Sequence, residues 1–200
     1  MNPVRIEYFG HACFRISCGG QRIVLDPYSD GSVPGLKKLR LDAEFVYCSH
    51  EHGDHNSVSC VRISDGGKPQ FRMKELLTDH DDACGSKRGK NVIRIFDFYG
   101  IRVAHFGDLG RALTKDEISA LRGLDCIMIP VGGYYTIDAD MASRIVRELQ
   151  PRLAIPMHYR TEHSGYEVLA DVDDAMGKFD EDADVITLTV GGYAEIENGG

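Results

Sequence analysis

The sequence lacks the features of a membrane or secreted protein. No stretch approaches the roughly 18–20 apolar residues that cross a bilayer, and the first residues carry no apolar signal region. The six cysteines are scattered and form no Cys-x-x-Cys pair, which excludes a zinc knuckle and a thioredoxin-type motif. We therefore expect a cytoplasmic protein without a membrane partner.

Basic residues are also in deficit. Lys and Arg number 23 against 31 Asp and Glu, which gives a net charge of −8. Broad binding to nucleic acid needs a basic surface, so we expect no nucleic-acid partner. At 200 residues, with 42% hydrophobic and 27% charged residues, the composition is that of a single globular domain spanning 1–200.

The most informative segment is His-Glu-His-Gly-Asp-His at 50–55. Its three histidines and its aspartate are all good ligands for a borderline divalent metal. A chance match on this composition has odds of roughly one in a thousand, so a turn of solvated histidines is the weaker interpretation. In an extended segment His50 and His52 point the same way, and a turn at the glycine lets Asp54 and His55 face a second position. The segment predicts metal binding.

Short β-like runs dominate the first half of the chain, and strands alternate with helices in the second half. Strands are predicted at 4–8, 12–17, 21–26, 45–48, 70–78, 92–98, 101–107, 125–131, 152–156, 184–190 and 193–197. Helices are predicted at 115–122 behind a capping box that begins at Thr114, at 139–149, and within 165–178. This order indicates an α/β protein with packed sheets and outer helices.

The chain resembles the metallo-β-lactamase superfamily, whose HxHxDH signature is matched by 50–55 at every fixed position. More narrowly, it is similar to a small cytoplasmic branch of ascorbate-6-phosphate lactonase-like and phospholipase D-like hydrolases. The segments that carry this likeness are Gly10-His11-Ala12, Leu25-Asp26-Pro27, His80-Asp81-Asp82, Arg88-Gly89-Lys90-Asn91, 105–110, 130–133 and Pro156-Met157-His158-Tyr159. The resemblance implies a four-layer αβ/βα sandwich, with two mixed β-sheets, helices on the outer faces and metals at the rim.

The resemblance also implies ligands for two metal ions. They are His50, His52 and His80 for the first ion, Asp54, His55 and His158 for the second, and Asp108 as a bridge between them. Asp108 and His158 each end a predicted strand. Judged without the resemblance, Asp108 could instead serve a turn, and His158 could instead be a hydrogen-bonded histidine without a metal. His105 competes with His80 for the third-histidine position. Its odd separation from Asp108 sends it to the opposite face of the strand, which favours a buried or supporting histidine.

Other residues are candidates for supporting the ligands or for binding a substrate. The resemblance places His11 and Asp26 near the metals, where carboxylates commonly orient metal-bound imidazoles. Lys87, Arg88 and Lys90 lie in the loop after His80 and are candidates for binding a phosphate or carboxylate. A solvated basic loop tip is an equally good interpretation.

The predicted function is hydrolysis. Two divalent ions that share a carboxylate make hydroxide available near neutral pH, for attack on a small ester, lactone or phosphodiester. Asp54 or Asp108 would manage the proton. Tyr134 and Tyr135 follow a predicted strand and a Gly-Gly turn, so they either orient the substrate or pack the turn. Zinc is the expected cofactor, and the same ligands suit manganese, iron or nickel.

Two other functions stay open at this point. One is a mononuclear-iron oxidoreductase of the same fold, and the other is a metal-binding protein without catalysis. The expected partner is a small-molecule substrate. Since the chain is short, a homo-oligomer would complete an open site.

Overall fold

The computed structural model describes residues 2–180 and 183–198. The strands are β1 (Val4–Gly10), β2 (Cys13–Cys18), β3 (Gln21–Leu25), β4 (Leu41–Ala43), β5 (Phe45–Tyr47), β6 (Val61–Ile63), β7 (Arg72–Asp79), β8 (Lys90–Phe98), β9 (Ile101–His105), β10 (Cys126–Pro130), β11 (Leu153–Met157) and β12 (Tyr193–Ile196). The helices are α1 (Lys115–Leu121), α2 (Ala139–Leu149) and α3 (Val172–Met176), with a 3₁₀ turn at Val58–Cys60. The hairpin predicted between 92–98 and 101–107 is β8–β9.

Two five-stranded mixed sheets form the body of the protein. The first has the strand order β12-β1-β2-β3-β5 and the second has the order β11-β10-β9-β8-β7. Alternate residues of the strands, such as Phe96 and Phe98 of β8, point to the same face of their sheet and are buried in the hydrophobic core. The predicted pair of mixed sheets packed on each other is confirmed.

The two outer faces are covered differently. On the second sheet, α2 packs on β10, and α1 and α3 pack against α2. On the first sheet, Cys13 and Val24 pack under the loop residues Tyr28, Val33 and Leu39 and under the β4–β6 pair. No helix in the described ranges combines the length and apolarity that crossing a bilayer would need.

The strand predicted at 184–190 is wrong. Only Val185 bridges the edge of the second sheet, and Ala154 of β11 makes both hydrogen bonds of that bridge. The next outward-facing position on β11 is Pro156, which has no N–H to donate. The hydrogen bonding between this segment and β11 therefore ends after one bridge, although 184–190 is rich in residues that favour strands.

Candidate metal centre

The predicted metal ligands lie together where the carboxyl ends of strands from both sheets meet. β3 and β5 are parallel, so the turn after β3 that carries Asp26 lies beside 50–55. In the second sheet β7, β9 and β11 run in the same direction. The residues that follow these three strands, His80, Asp108 and His158, therefore emerge at one edge.

The predicted ligands form two compact groups, which we call the histidine group and the mixed group. One atom from each member lies within 4.8 Å of every other member: His50, His52 and His80 in the histidine group, and His11, Asp54, His55 and His158 in the mixed group. The structure thus brings together the same sets that the resemblance implied. It adds His11, which was expected only nearby.

Asp108 lies between the two groups. Its Oδ2 atom is 3.3 Å from Nε2 of His80 and 3.9 Å from Nε2 of His50, both in the histidine group. The same oxygen is 3.2 Å from Nε2 of His158 and 3.3 Å from Nε2 of His55, both in the mixed group. One carboxylate is therefore within reach of both groups, as a bridging ligand must be.

A buried carboxylate, Asp26, orients one histidine of each group. His55 donates from Nδ1 to Asp26 over 2.9 Å. The Ser49 hydroxyl donates to the same Asp26 oxygen over 2.5 Å, so it must accept from Nδ1 of His50, 2.9 Å away. With Nδ1 of each ring engaged in this way, Nε2 is the nitrogen that faces Asp108 and that would bind a metal ion. The Ser49 N–H also donates to Asp26 over 2.6 Å, so this carboxylate is satisfied without being a ligand itself.

The turn that carries Asp108 is held by a buried amide, Asn91. Its Oδ1 accepts from the N–H of Asp108 over 2.9 Å, and its Nδ2 donates to the carbonyl of Phe106 over 2.9 Å. Gly107 has a φ of +54°, and a Cβ there would lie 2.3 Å from Asn91 Oδ1. The position therefore needs glycine both for its backbone conformation and for the close approach of the amide.

Asp54 is held by two side chains from distant parts of the sequence. His11 Nε2 lies 3.2 Å from Asp54 Oδ2, and the Tyr166 hydroxyl donates to the same oxygen over 3.2 Å. The ring of His11 also packs on His158, with centroids 4.0 Å apart.

His11, Asp26 and His158 have φ values of 55°, 45° and 56°. Such left-handed conformations are uncommon outside glycine and cluster at functional sites.

The ionisation states suit a metal centre. Burial lowers the pKa of His50 to about 3, so this ring is neutral at neutral pH. Burial opposes the charged form of Asp108, yet His158 and His55 outweigh it and hold the pKa of Asp108 well below its usual value. Burial also opposes charge on His55, but Asp108 and Asp26 raise the pKa of His55 well above its usual value. The two carboxylates therefore favour a positive charge at His55. A metal ion bound there would take the place of the proton on that ring.

Buried polar atoms at the centre lack hydrogen-bond partners among the described residues. They include Nε2 of His50, Nε2 of His55 and Oδ1 of Asp108. An unpaired buried polar atom costs about 1–3 kcal/mol. A divalent cation would satisfy all of them, and imidazole with carboxylate is a ligand set that such cations accept. The residues present therefore fit a metal centre.

Comparison with known proteins gives the family. The sequence profile of the beta-lactamase superfamily domain matches residues 5–158, which include the 50–55 segment and His158. The chain belongs to the metallo-β-lactamase superfamily. A UPF0173 metal-dependent hydrolase of Thermoplasma acidophilum is 26% identical, with 80% of this chain and 85% of the relative covered.

Solved structures agree with the family. A metallo-β-lactamase superfamily protein of Thermotoga maritima is 29% identical, with a TM-score of 0.70 and coverage of 92% of this chain and 97% of that one. The metallo hydrolase Igni18 of Ignicoccus hospitalis has the same fold, with a TM-score of 0.74, 21% identity and coverage of 98% and 100%. The chain is thus a metal-dependent hydrolase of the metallo-β-lactamase superfamily.

In this metallo-β-lactamase superfamily member the centre opens into a cavity of about 290 Å³, lined by His52, Asp54, His80, Arg88, Asp108, Tyr135, His158 and Tyr166. Of the predicted substrate-binding residues, Arg88 and Tyr135 thus reach the cavity. Lys90 instead pairs with a carboxylate of β7, and Tyr134 is 65% exposed outside the lining. His105 is buried and hydrogen-bonded to a backbone carbonyl, outside both groups.

Three residues of the centre were assigned no role from the sequence: Ser49, Asn91 and Tyr166. Ser49 carried a usable signal, because a hydroxyl directly before His50 at a strand end can bond its ring. Asn91 and Tyr166 hydrogen-bond to residues 17 and 112 positions away. No local pattern reveals such partners.

Replacing Asp26 with asparagine should weaken metal binding about 10- to 100-fold. The amide keeps the size of the side chain but loses an acceptor, so it cannot orient His50 and His55 together. Competition with a chromogenic chelator would measure the affinity. Asp30→Asn, at an exposed surface ion pair, is the matched control and should bind metal like the unchanged protein. Equal affinities for the two variants would refute the orienting role of Asp26.

Proposed function

We propose that this metal-dependent hydrolase cleaves a small ester, lactone or phosphodiester with two divalent ions, zinc foremost. The residues that would hold them are His50, His52 and His80 for one ion, Asp54, His55 and His158 for the other, and Asp108 for both. The observation that carries the proposal is the position of Asp108 Oδ2, 3.2–3.9 Å from histidines of both groups.

Ions bound at these residues would acidify a water molecule at neutral pH and take up the negative charge that develops on the substrate. Water is favoured as the nucleophile because the cavity lining, as far as the chain is described, contains no serine or cysteine. A cavity of about 290 Å³ supports a small substrate, since ligand pockets commonly span about 300–1,000 Å³.

Asp54 is better placed than Asp108 to handle the proton of the attacking water. The Asp54 side chain is 19% exposed at the cavity, against 3% for Asp108. Its Oδ2 accepts hydrogen bonds from His11 and Tyr166. Its Oδ1 receives no hydrogen bond from the described residues, so it is the oxygen left to bind the ion or to accept the proton of the water.

The proposal is tested by metal analysis followed by a substrate panel. The protein would be loaded with Zn²⁺ or Mn²⁺ and assayed on 4-nitrophenyl acetate and a γ-lactone for carbonyl attack, and on bis-4-nitrophenyl phosphate for phosphoryl attack. We expect turnover of at least one probe that depends on added metal. One iron per chain, with oxygen uptake and no hydrolysis, would instead support the oxidoreductase alternative. Full metal loading without turnover of any probe would count against the proposal.

A further inference from the structure

Three cations lie in the loop after His80 and at the start of β8, and one of them lines the cavity at the metal centre. Lys87 pairs with Asp82 over 2.8 Å, and both side chains are exposed. Lys90 pairs with Asp79 over 2.5 Å. Arg88, by contrast, lines the cavity beside the metal groups.

The backbone of this loop is held in place by Asp81. The buried Asp81 carboxylate accepts four backbone N–H groups, from Ala83, Gly85, Lys87 and Arg88, over 2.7–3.0 Å. The N–H of His80 donates to the carbonyl of Gly89 over 3.1 Å, which closes the loop on itself. The backbone of Arg88 is therefore fixed relative to the metal groups by the loop that also carries His80.

The Arg88 guanidinium lies at the cavity without a charge partner. Within 2–180 and 183–198, no carboxylate lies within 4.0 Å of it and no acceptor engages its donors. Its guanidinium instead lies over the ring of Tyr135, whose centroid is 5.5 Å from Cζ. A guanidinium offers five donors in a planar fork that fits a carboxylate or a phosphate. An unpaired guanidinium beside a reaction site is therefore suited to pair with an anionic group of the substrate.

We propose that the substrate carries an oxyanion, a carboxylate or a phosphate, which Arg88 binds beside Tyr135 while the scissile group lies at the metal groups. This inference rests on the proposed function and adds a substrate class to it. The net charge of the chain is −8, so attraction of an anion depends on local cations such as Arg88 rather than on the whole surface.

The test compares two esters with the same leaving group on the metal-loaded protein. Mono-4-nitrophenyl succinate carries a carboxylate, and 4-nitrophenyl acetate does not. The unchanged protein should prefer the succinate ester roughly 10- to 100-fold in kcat/KM. Arg88→Met should remove this preference, mainly through KM, and Arg88→Lys should keep part of it. Lys87→Met, in the same loop but paired away from the cavity, should behave like the unchanged protein.

A second readout separates this inference from the proposed function. Calorimetry would measure binding of succinate and of inorganic phosphate to the metal-loaded protein, whether or not any ester is cleaved. At least one anion should bind roughly 10-fold more weakly to Arg88→Met, and which one does so identifies carboxylate or phosphate. Equal affinities of the two proteins for both anions, or no binding of either anion, would overturn the inference. An Arg88→Met variant whose kcat/KM falls equally for both esters would also overturn it. Failure of hydrolysis with Arg88-dependent binding would reject the proposed function alone.

Discussion

We expect Asp108→Ala to lower hydrolytic activity about a thousandfold or more and to leave at most one tightly bound metal ion per chain. The physical reason is its position between the groups, where one oxygen faces His80 and His50 on one side and His158 and His55 on the other. Without it the two proposed ions would have no shared anionic ligand. A loss of several kcal/mol of charge stabilisation corresponds to such a factor, since about 1.4 kcal/mol is tenfold in rate.

This prediction is checked by steady-state kinetics together with metal analysis of the same samples. Asp30→Ala is the matched control, because its exposed ion pair with Lys38 contributes little to stability. Circular dichroism would establish that Asp108→Ala still folds. Asp108→Asn, which keeps the size of the side chain, should lose activity as well. A variant at 108 with two bound ions and unchanged turnover would refute the bridging role.

Removal of the metal ions should lower the melting temperature by about 8–16 °C. A bound cation would satisfy the buried atoms of His50, His55 and Asp108 that have no hydrogen-bond partner among the described residues, so we expect folding and metal binding to be coupled. Ions at about 1,000 times their dissociation constant add about 4 kcal/mol, and about 1 kcal/mol shifts a chain of this size by about 2–4 °C.

Differential scanning calorimetry of chelator-treated and reloaded protein measures this shift. His163→Ala is the control, since His163 is highly exposed and lies outside both groups. It should show the full stabilisation by metal, whereas His80→Ala should show much less. An equal melting temperature with and without chelator would mean that the groups hold no ion of structural consequence.

Local chemistry explains what could be predicted from the sequence. Helix 139–149 matches its predicted bounds because Asp138 caps it, accepting from the N–H of Met141 over 2.8 Å, and because its apolar residues recur at helical spacing. The 50–55 segment is compact enough to be recognised without knowledge of the fold. The histidines and aspartate further along the chain needed the family resemblance to be assigned.

Long-range contacts explain what could not be predicted. The strand expected at 184–190 fails because of Pro156, on a strand some thirty positions earlier in the chain. The supporting roles of Asn91 and Tyr166 depend on partners brought close only by the folded sheets. The interpretation of Arg88 likewise depended on the structure, because the sequence alone did not distinguish it from Lys87 and Lys90.

The most direct test of the two-ion centre is a crystal structure of the metal-loaded protein with anomalous diffraction at the metal edge. We predict two peaks per chain, about 3.5–4 Å apart. One should lie among His50, His52 and His80, the other among Asp54, His55 and His158, with Asp108 bound to both. A single peak, or two peaks of which Asp108 contacts at most one, would contradict the two-ion centre.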